Sequence, residues 1–248
     1  MSTSRTPPIT IPASSPPPSP SQSAAFIFIH GLGDEAAGVE NIAHQFQSAH
    51  KLPHLQWIFP NALENRDAMT TAWYTPTRLS PYPSSRPELD DPEDEEGMRS
   101  SMSYIETLID DLVSQGVPER RIVLGGFSQG CAMTLLTSLL SPKYSGKLAG
   151  LVGLSGYLPL ADRIRALRGE AGLAREVEDE VEVFLGRGTR DMLVPKRCLR
   201  IAQEKLVELG VKEEKLIVKE YEGVGHSMSG AMLRDVCAWL ERVVPEME

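Results

Sequence analysis

An α/β architecture, with a mostly parallel sheet covered by helices on both faces, follows from three observations. Short apolar runs alternate with amphipathic helical stretches from residue 24 to the C-terminus. A Gly126-Phe127-Ser128-Gln129-Gly130 pentapeptide sits between an apolar run and a helical one. Chemistry-bearing residues fall just after apolar runs, where a parallel sheet gathers its loops at one edge.

The expected strands are Ala24–Ile29, Leu55–Phe59, 121–124, Gly150–Leu154, 181–185 and 215–220. Between them Val39, Ile42, Ala43 and Phe46 recur at helical spacing, as do Met102, Ile105, Leu108, Ile109 and Leu112, and later Ile201, Leu206 and Leu209. Gly116 with Pro118 closes the second helix and Gly210 the third. No internal repeat is present. A chain of 248 residues, 41% hydrophobic and 24% charged, fits one soluble domain spanning 24–248 with a sizeable core.

Residues 1–23 are dominated by Pro and Ser, as in Pro16-Pro17-Pro18-Ser19-Pro20, and so are expected to form a disordered tail. They lack the apolar core of a secretory signal, and no lipidation signal is visible at either end. The irregular stretch 61–97 is long for a compact domain, which points to a binding site or lid. Its acidic run from Glu88 reads as a solvated face, whereas Trp73 and Tyr74 should pack against something.

The formal charge of −9 excludes nucleic acid as a natural partner, because phosphate binding wants a basic surface. No apolar run approaches the roughly 20 residues needed to cross a bilayer. The three cysteines, Cys131, Cys198 and Cys237, are scattered without metal-ligand spacing, in keeping with unpaired thiols in a cytoplasmic or nuclear protein. Cys131 lies close to Ser128 but within apolar helix, so packing is its expected role.

A Gly-x-Ser-x-Gly between strand and helix places its serine at the tip of a sharp turn, a nucleophile elbow. Serine becomes a useful nucleophile only with a base and a group that orients that base. Of the five histidines, His44, His50 and His54 have surface, capping or loop explanations, and His30 ends the first strand. His226 lies in a glycine-rich loop directly after the last strand, on the edge shared with Ser128, and is the expected base. Chain order then asks for an acid between them. Asp191 follows the strand at 181–185 and is preferred. Asp162 competes, although a helix N-cap would explain it. Two backbone N–H groups are placed to hold a developing oxyanion: Gln129, next to the nucleophile, and Leu32, between Gly31 and Gly33.

These residues carry a family likeness. The chain resembles the acyl-protein thioesterase, lysophospholipase and carboxylesterase family of α/β hydrolases. The matching segments are Phe28-Ile29-His30-Gly31-Leu32-Gly33-Asp34, Gly125 through Gly130, Leu154 through Leu160, Asp191 through Pro195 and Tyr221 through Ser227, in family order. The resemblance implies an α/β-hydrolase fold. It also implies hydrolysis of acyl thioesters or oxyesters through an acyl-enzyme, with no metal or organic cofactor. Implied substrates are acylated proteins, lysophospholipids or small esters, reached by at most transient contact with a membrane. The family's acyl channel maps onto Leu32, Trp73, Tyr157 and Leu193. A carboxylesterase restricted to small soluble esters is the alternative, and a silent binding protein of the same fold a remote one. The sequence departs from the family pattern in three places. Arg187-Gly188 stands where His-Gly is usual, Tyr157 where tryptophan is usual, and the segment before Trp73 is reshaped as Leu63 through Met69.

Overall fold

The computed structural model describes residues 5–82, 92–177 and 181–247. In chain order the strands are β1 (Ile9–Ile11), β2 (Ala24–Ile29), β3 (Leu55–Phe59), β4 (Leu63–Asn65), β5 (Thr70–Ala72), β6 (Ile122–Phe127), β7 (Gly150–Leu154), β8 (Glu182–Gly188) and β9 (Leu216–Tyr221). The helices are α1 (Ala36–Val39), α2 (Asn41–Ser48), α3 (Glu95–Ser114), α4 (Gln129–Leu140), α5 (Ile164–Glu170), α6 (Lys196–Glu208) and α7 (Gly230–Val243).

The main sheet has seven strands in the order β1-β3-β2-β6-β7-β8-β9. Every pairing is parallel except that of β1 with β3. Strands β2 and β7 are buried along their whole length, as expected of strands covered on both faces. Alternate β2 residues point to different cores. Ala25, Ile27 and Ile29 join the cluster packed by α3, α4, α5 and α6, while Ala24, Phe26 and Phe28 join the cluster packed by α1, α2 and α7. Helix α4 lies under the sheet centre with all of its residues buried, which explains why it carries no charged side chain.

Strand β6 runs on to Phe127 and β8 to Gly188, past the expected ends. The glycines beyond those expected ends continue the ladder, with Phe127 paired to Leu154 and Gly188 to Tyr221. They are glycine for lack of room. An added Cβ on Gly125 would lie 2.6 Å from the Phe26 ring, and one on Gly188 would lie 2.6 Å from the Gly225 carbonyl oxygen.

The expected disordered tail is corrected over residues 5–23. Here β1 adds an antiparallel edge to the sheet, pairing Ile9 with Phe59 and Ile11 with Trp57, and Ile11 is buried. The segment is tied further along by Ser15 N–H to the Pro53 carbonyl (2.9 Å), by Gln47 to the Pro12 carbonyl (2.8 Å) and by Arg121 to the Ser23 carbonyl (3.0 Å). Proline-rich chain is already extended, so ordering it costs less entropy than its composition suggests. The flanking prolines also spare the N–H groups of Ile9, Thr10 and Ile11 for an edge ladder.

Within 61–97, strands β4 and β5 form a separate antiparallel hairpin. Helix α3 begins inside the acidic run, where Asp94 caps it by accepting from Gly97 N–H (2.9 Å) and Glu95 and Glu96 occupy its first turn. The rest of that run, from Glu88 to Asp91, lies outside the described residues.

Candidate active site

The turn from β6 into α4 holds Ser128 at φ 56°, ψ −117°, a left-handed conformation costly for serine. The flanking glycines permit it. An added Cβ on Gly126 would lie 2.7 Å from the Ile29 carbonyl oxygen, and one on Gly130 would overlap that same carbonyl. Gly130→Ala should therefore push α4 off β2 and cost about 1–3 kcal/mol in urea denaturation. Gly169→Ala in α5, where an added Cβ meets nothing within 4 Å, should be neutral or slightly stabilising. Equal midpoint losses in the two variants would refute this account of the elbow.

The residues singled out as nucleophile, base and acid meet in one hydrogen-bonded relay. His226 Nε2 lies 2.9 Å from Ser128 Oγ, and Nδ1 lies 2.8 Å from Asp191 Oδ2. The ring arrives on the loop after β9, which also contacts Phe127 at a centroid distance of 4.8 Å. Asp191 arrives on the loop after β8, with its side chain fully buried. Its other oxygen, Oδ1, accepts from the N–H groups of Leu193 (3.0 Å) and Val194 (2.9 Å). Burial by itself would raise the carboxyl pKa. The bonds from His226, Val194 and Leu193 outweigh it and hold the group below the ordinary carboxylate range. An ionised Asp191 fixes the proton of neutral His226 on Nδ1, which leaves Nε2 free to accept from the serine hydroxyl.

Asp162 plays no part in this relay. Its side chain is 99% exposed and faces Lys205 at 3.9 Å. It does not cap α5 either, since that helix begins at Ile164 with Arg163 as its N-cap.

Among the described residues, neither the Leu32 nor the Gln129 N–H donates to a protein acceptor. Gln129 opens α4, where the first amides have no partner within the helix and the helix dipole favours negative charge. Leu32 lies on the loop after β2, whose Gly31 packs close to Ser128, an added Cβ being 3.2 Å from the serine Cβ.

Sequence reasoning missed what holds this loop. Gly33 N–H donates to the Thr71 carbonyl (2.9 Å), Thr71 Oγ1 to the Asp34 carbonyl (2.7 Å) and Trp73 Nε1 to the His30 carbonyl (2.9 Å). The His30 ring bridges the Gly31 carbonyl through Nδ1 (2.7 Å) and the Ala62 N–H through Nε2 (3.2 Å). That pattern needs a neutral ring, and burial accordingly pulls the His30 pKa down. The Gln129 side chain clamps the segment after β5, accepting from Trp73 N–H (2.8 Å) and donating to the Tyr74 carbonyl (2.9 Å). Only its place inside the pentapeptide could have drawn attention to Gln129 as more than a backbone donor.

The mapped channel residues divide into two kinds. Leu32 and Leu193 are exposed beside the relay, at 43% and 68%. Trp73 is buried, with its ring against His30 (5.1 Å) and Tyr104 (6.4 Å), so it supports the loops from within. Tyr157 is partly buried and its hydroxyl lies 2.5 Å from that of Tyr74. The unusual Arg187 is buried behind the acid loop, donating to the Asp191 carbonyl (3.2 Å) and to Glu220 (2.9 Å). Cys131 is fully buried under Gly156 and its thiol is pushed up to about 12, which makes it a packing residue.

Comparisons with known proteins converge on one family. Residues 15–244 match the family model described as phospholipase/carboxylesterase. An acyl-protein thioesterase 1 from Yarrowia lipolytica is 32% identical over 235 residues, 93% of this chain and 96% of its relative. One from Emericella nidulans is 33% identical over 227 residues, 90% of this chain and 91% of its relative. Among solved structures, acyl-protein thioesterase 2 from Zea mays superposes with a TM-score of 0.74 at 24% identity, covering 96% of this chain and 98% of its own, and so shares the fold.

Proposed function

The chain belongs to the phospholipase/carboxylesterase family of α/β hydrolases, and from that premise we propose that it cleaves acyl thioesters and carboxylic oxyesters through an acyl-enzyme on Ser128. The observation that carries the reading is the relay from Ser128 Oγ through His226 (2.9 Å) to Asp191 (2.8 Å), beside two backbone N–H groups that have no acceptor among the described residues.

In this mechanism Ser128 Oγ attacks the acyl carbonyl as its proton passes to His226 Nε2. The imidazolium is stabilised by Asp191 through Nδ1–H. The carbonyl oxygen, now carrying the charge, is held by the Leu32 and Gln129 N–H groups. As the tetrahedral intermediate collapses, the carbon–sulfur or carbon–oxygen bond breaks and His226 returns the proton to the departing thiolate or alkoxide. Water then attacks the acyl-serine with His226 again as base, which releases the carboxylic acid and restores Ser128. Every step uses protein groups and water.

The substrates proposed are acylated proteins, as the relatives' names indicate, with lysophospholipids as a further class. Leu32 and Leu193 supply apolar surface for the acyl chain where it leaves the reacting carbonyl. No helix among the described residues is long and apolar enough to cross a membrane. Action in the cytoplasm, with transient contact at lipid surfaces, fits that surface.

A panel of p-nitrophenyl esters of rising chain length, run beside an S-palmitoylated peptide, tests the reading. Turnover of the peptide thioester is expected alongside the esters. Hydrolysis of short esters with none of the peptide would restrict the enzyme to small soluble esters and overturn the thioesterase assignment.

A further inference from the structure

We propose that Arg5 is a positioning residue for the oxyanion loop, acting through Trp73 from the far side of the β5 segment. The inference rests on the proposed hydrolase mechanism, and it gives the N-terminal segment a task in catalysis.

The guanidinium of Arg5 lies over two aromatic rings, 5.3 Å from the Trp73 centroid and 4.6 Å from that of Tyr104. It also donates to Ser101 Oγ (3.1 Å) and to the Asn61 carbonyl (3.4 Å). Ser101 Oγ in turn donates to the Trp73 carbonyl (2.5 Å). Arg5 thereby holds the Trp73 ring by its face and, through Ser101, its backbone. Arg5 is itself fixed by the strap that follows. The Pro7 carbonyl accepts from Asn61 Nδ2 (2.9 Å), and β1 begins at Ile9.

Trp73 passes that placement to both proposed oxyanion donors. Its indole N–H bonds the His30 carbonyl, at the root of the loop that presents Leu32. Its backbone N–H bonds Oε1 of Gln129, the other donor residue. Asn61 joins the same frame, because its Oδ1 accepts from Ala36 N–H, where the oxyanion loop enters α1. An oxyanion hole stabilises charge that exists only in the transition state. Misplacing one donor should therefore lower kcat and leave KM nearly unchanged.

The test uses Arg5→Ala in the full chain. Its kcat on p-nitrophenyl esters is expected to fall about tenfold, within the range that a small misplacement of catalytic groups produces. KM should stay within about twofold, and a trifluoromethyl ketone, which forms an oxyanion on Ser128, should lose affinity in parallel with kcat/KM. Hydrogen–deuterium exchange should rise in peptides covering 30–34 and 71–74 and stay unchanged in β6 to β8. Arg5→Lys keeps a cation over the rings without the planar fork, and covers the case in which Arg5→Ala does not fold. Its loss of kcat should be about threefold. Wild-type kcat and wild-type exchange at 30–34 in a folded Arg5 variant would overturn the proposal. So would a raised KM with unchanged ketone affinity. A wild-type protein that neither turns over ester nor reacts with the ketone would defeat the hydrolase reading. The exchange comparison would still decide whether Arg5 holds the loop.

Discussion

Ser128→Ala should abolish labelling by a fluorophosphonate probe and lower kcat by about 10⁴- to 10⁶-fold, with the fold intact. The alanine methyl occupies the serine Cβ position, so the elbow and its glycine contacts are undisturbed. What disappears is the oxygen 2.9 Å from His226 Nε2, and with it the acyl-enzyme route. His226→Ala should cost about as much. The double variant should be scarcely worse than either, because nucleophile and base act as one unit. Residual turnover would reflect the oxyanion donors alone. Losses that multiply in the double variant, or persistent labelling of Ser128→Ala, would place the nucleophile elsewhere.

Asp191→Asn should lower kcat by about 10⁴-fold while leaving the protein folded. The physical cause is a forced choice of orientation. If the amide oxygen keeps the Leu193 and Val194 N–H bonds, the amide nitrogen faces His226 Nδ1 and drives the ring proton to Nε2, where it can no longer accept from Ser128. If the amide is turned round, its NH₂ group faces two backbone donors. Asp162→Ala, at a side chain 99% exposed, should remain within about twofold of wild type. A larger loss from Asp162→Ala than from Asp191→Asn would overturn the assignment of the acid. The same carboxylate gives a pH dependence of stability. Its folded pKa is depressed, so its contribution is present above the unfolded value of about 3.9 and is lost as pH falls through the folded value. The stability gap between wild type and Asp191→Asn should therefore narrow as pH is lowered below about 4, as read by urea midpoints across pH.

The three residues of the candidate relay were legible in the sequence. Ser128, Asp191 and His226 each follow an apolar run, and a parallel sheet brings such positions together at its carboxyl edge whatever the helices between them contain. The strands at Ala24–Ile29, Leu55–Phe59 and Gly150–Leu154 match their expected bounds because apolar runs buried on both faces carry a strong local signal. Hairpin β4–β5 was illegible, since its residues follow neither period and it pairs only with itself. Asp162 looked like a cap, but which residue starts α5 depends on the turn at Leu160 to Arg163, not on side-chain type.

The sequence by itself determined the layered α/β architecture, the elbow and the chain order of the proposed nucleophile, acid and base. Each is written in local patterns, or follows from the one way parallel strands can share an edge. Only the tertiary structure decided that a Pro/Ser-rich segment would become an edge strand, and that Trp73 would be buried with its ring against His30. It alone joined Arg5 to Ser101, and Trp73 to both His30 and Gln129. Such contacts link residues dozens of positions apart, and their energy comes from burial and hydrogen bonds that exist only once the sheet has formed. No composition or spacing within either segment records them.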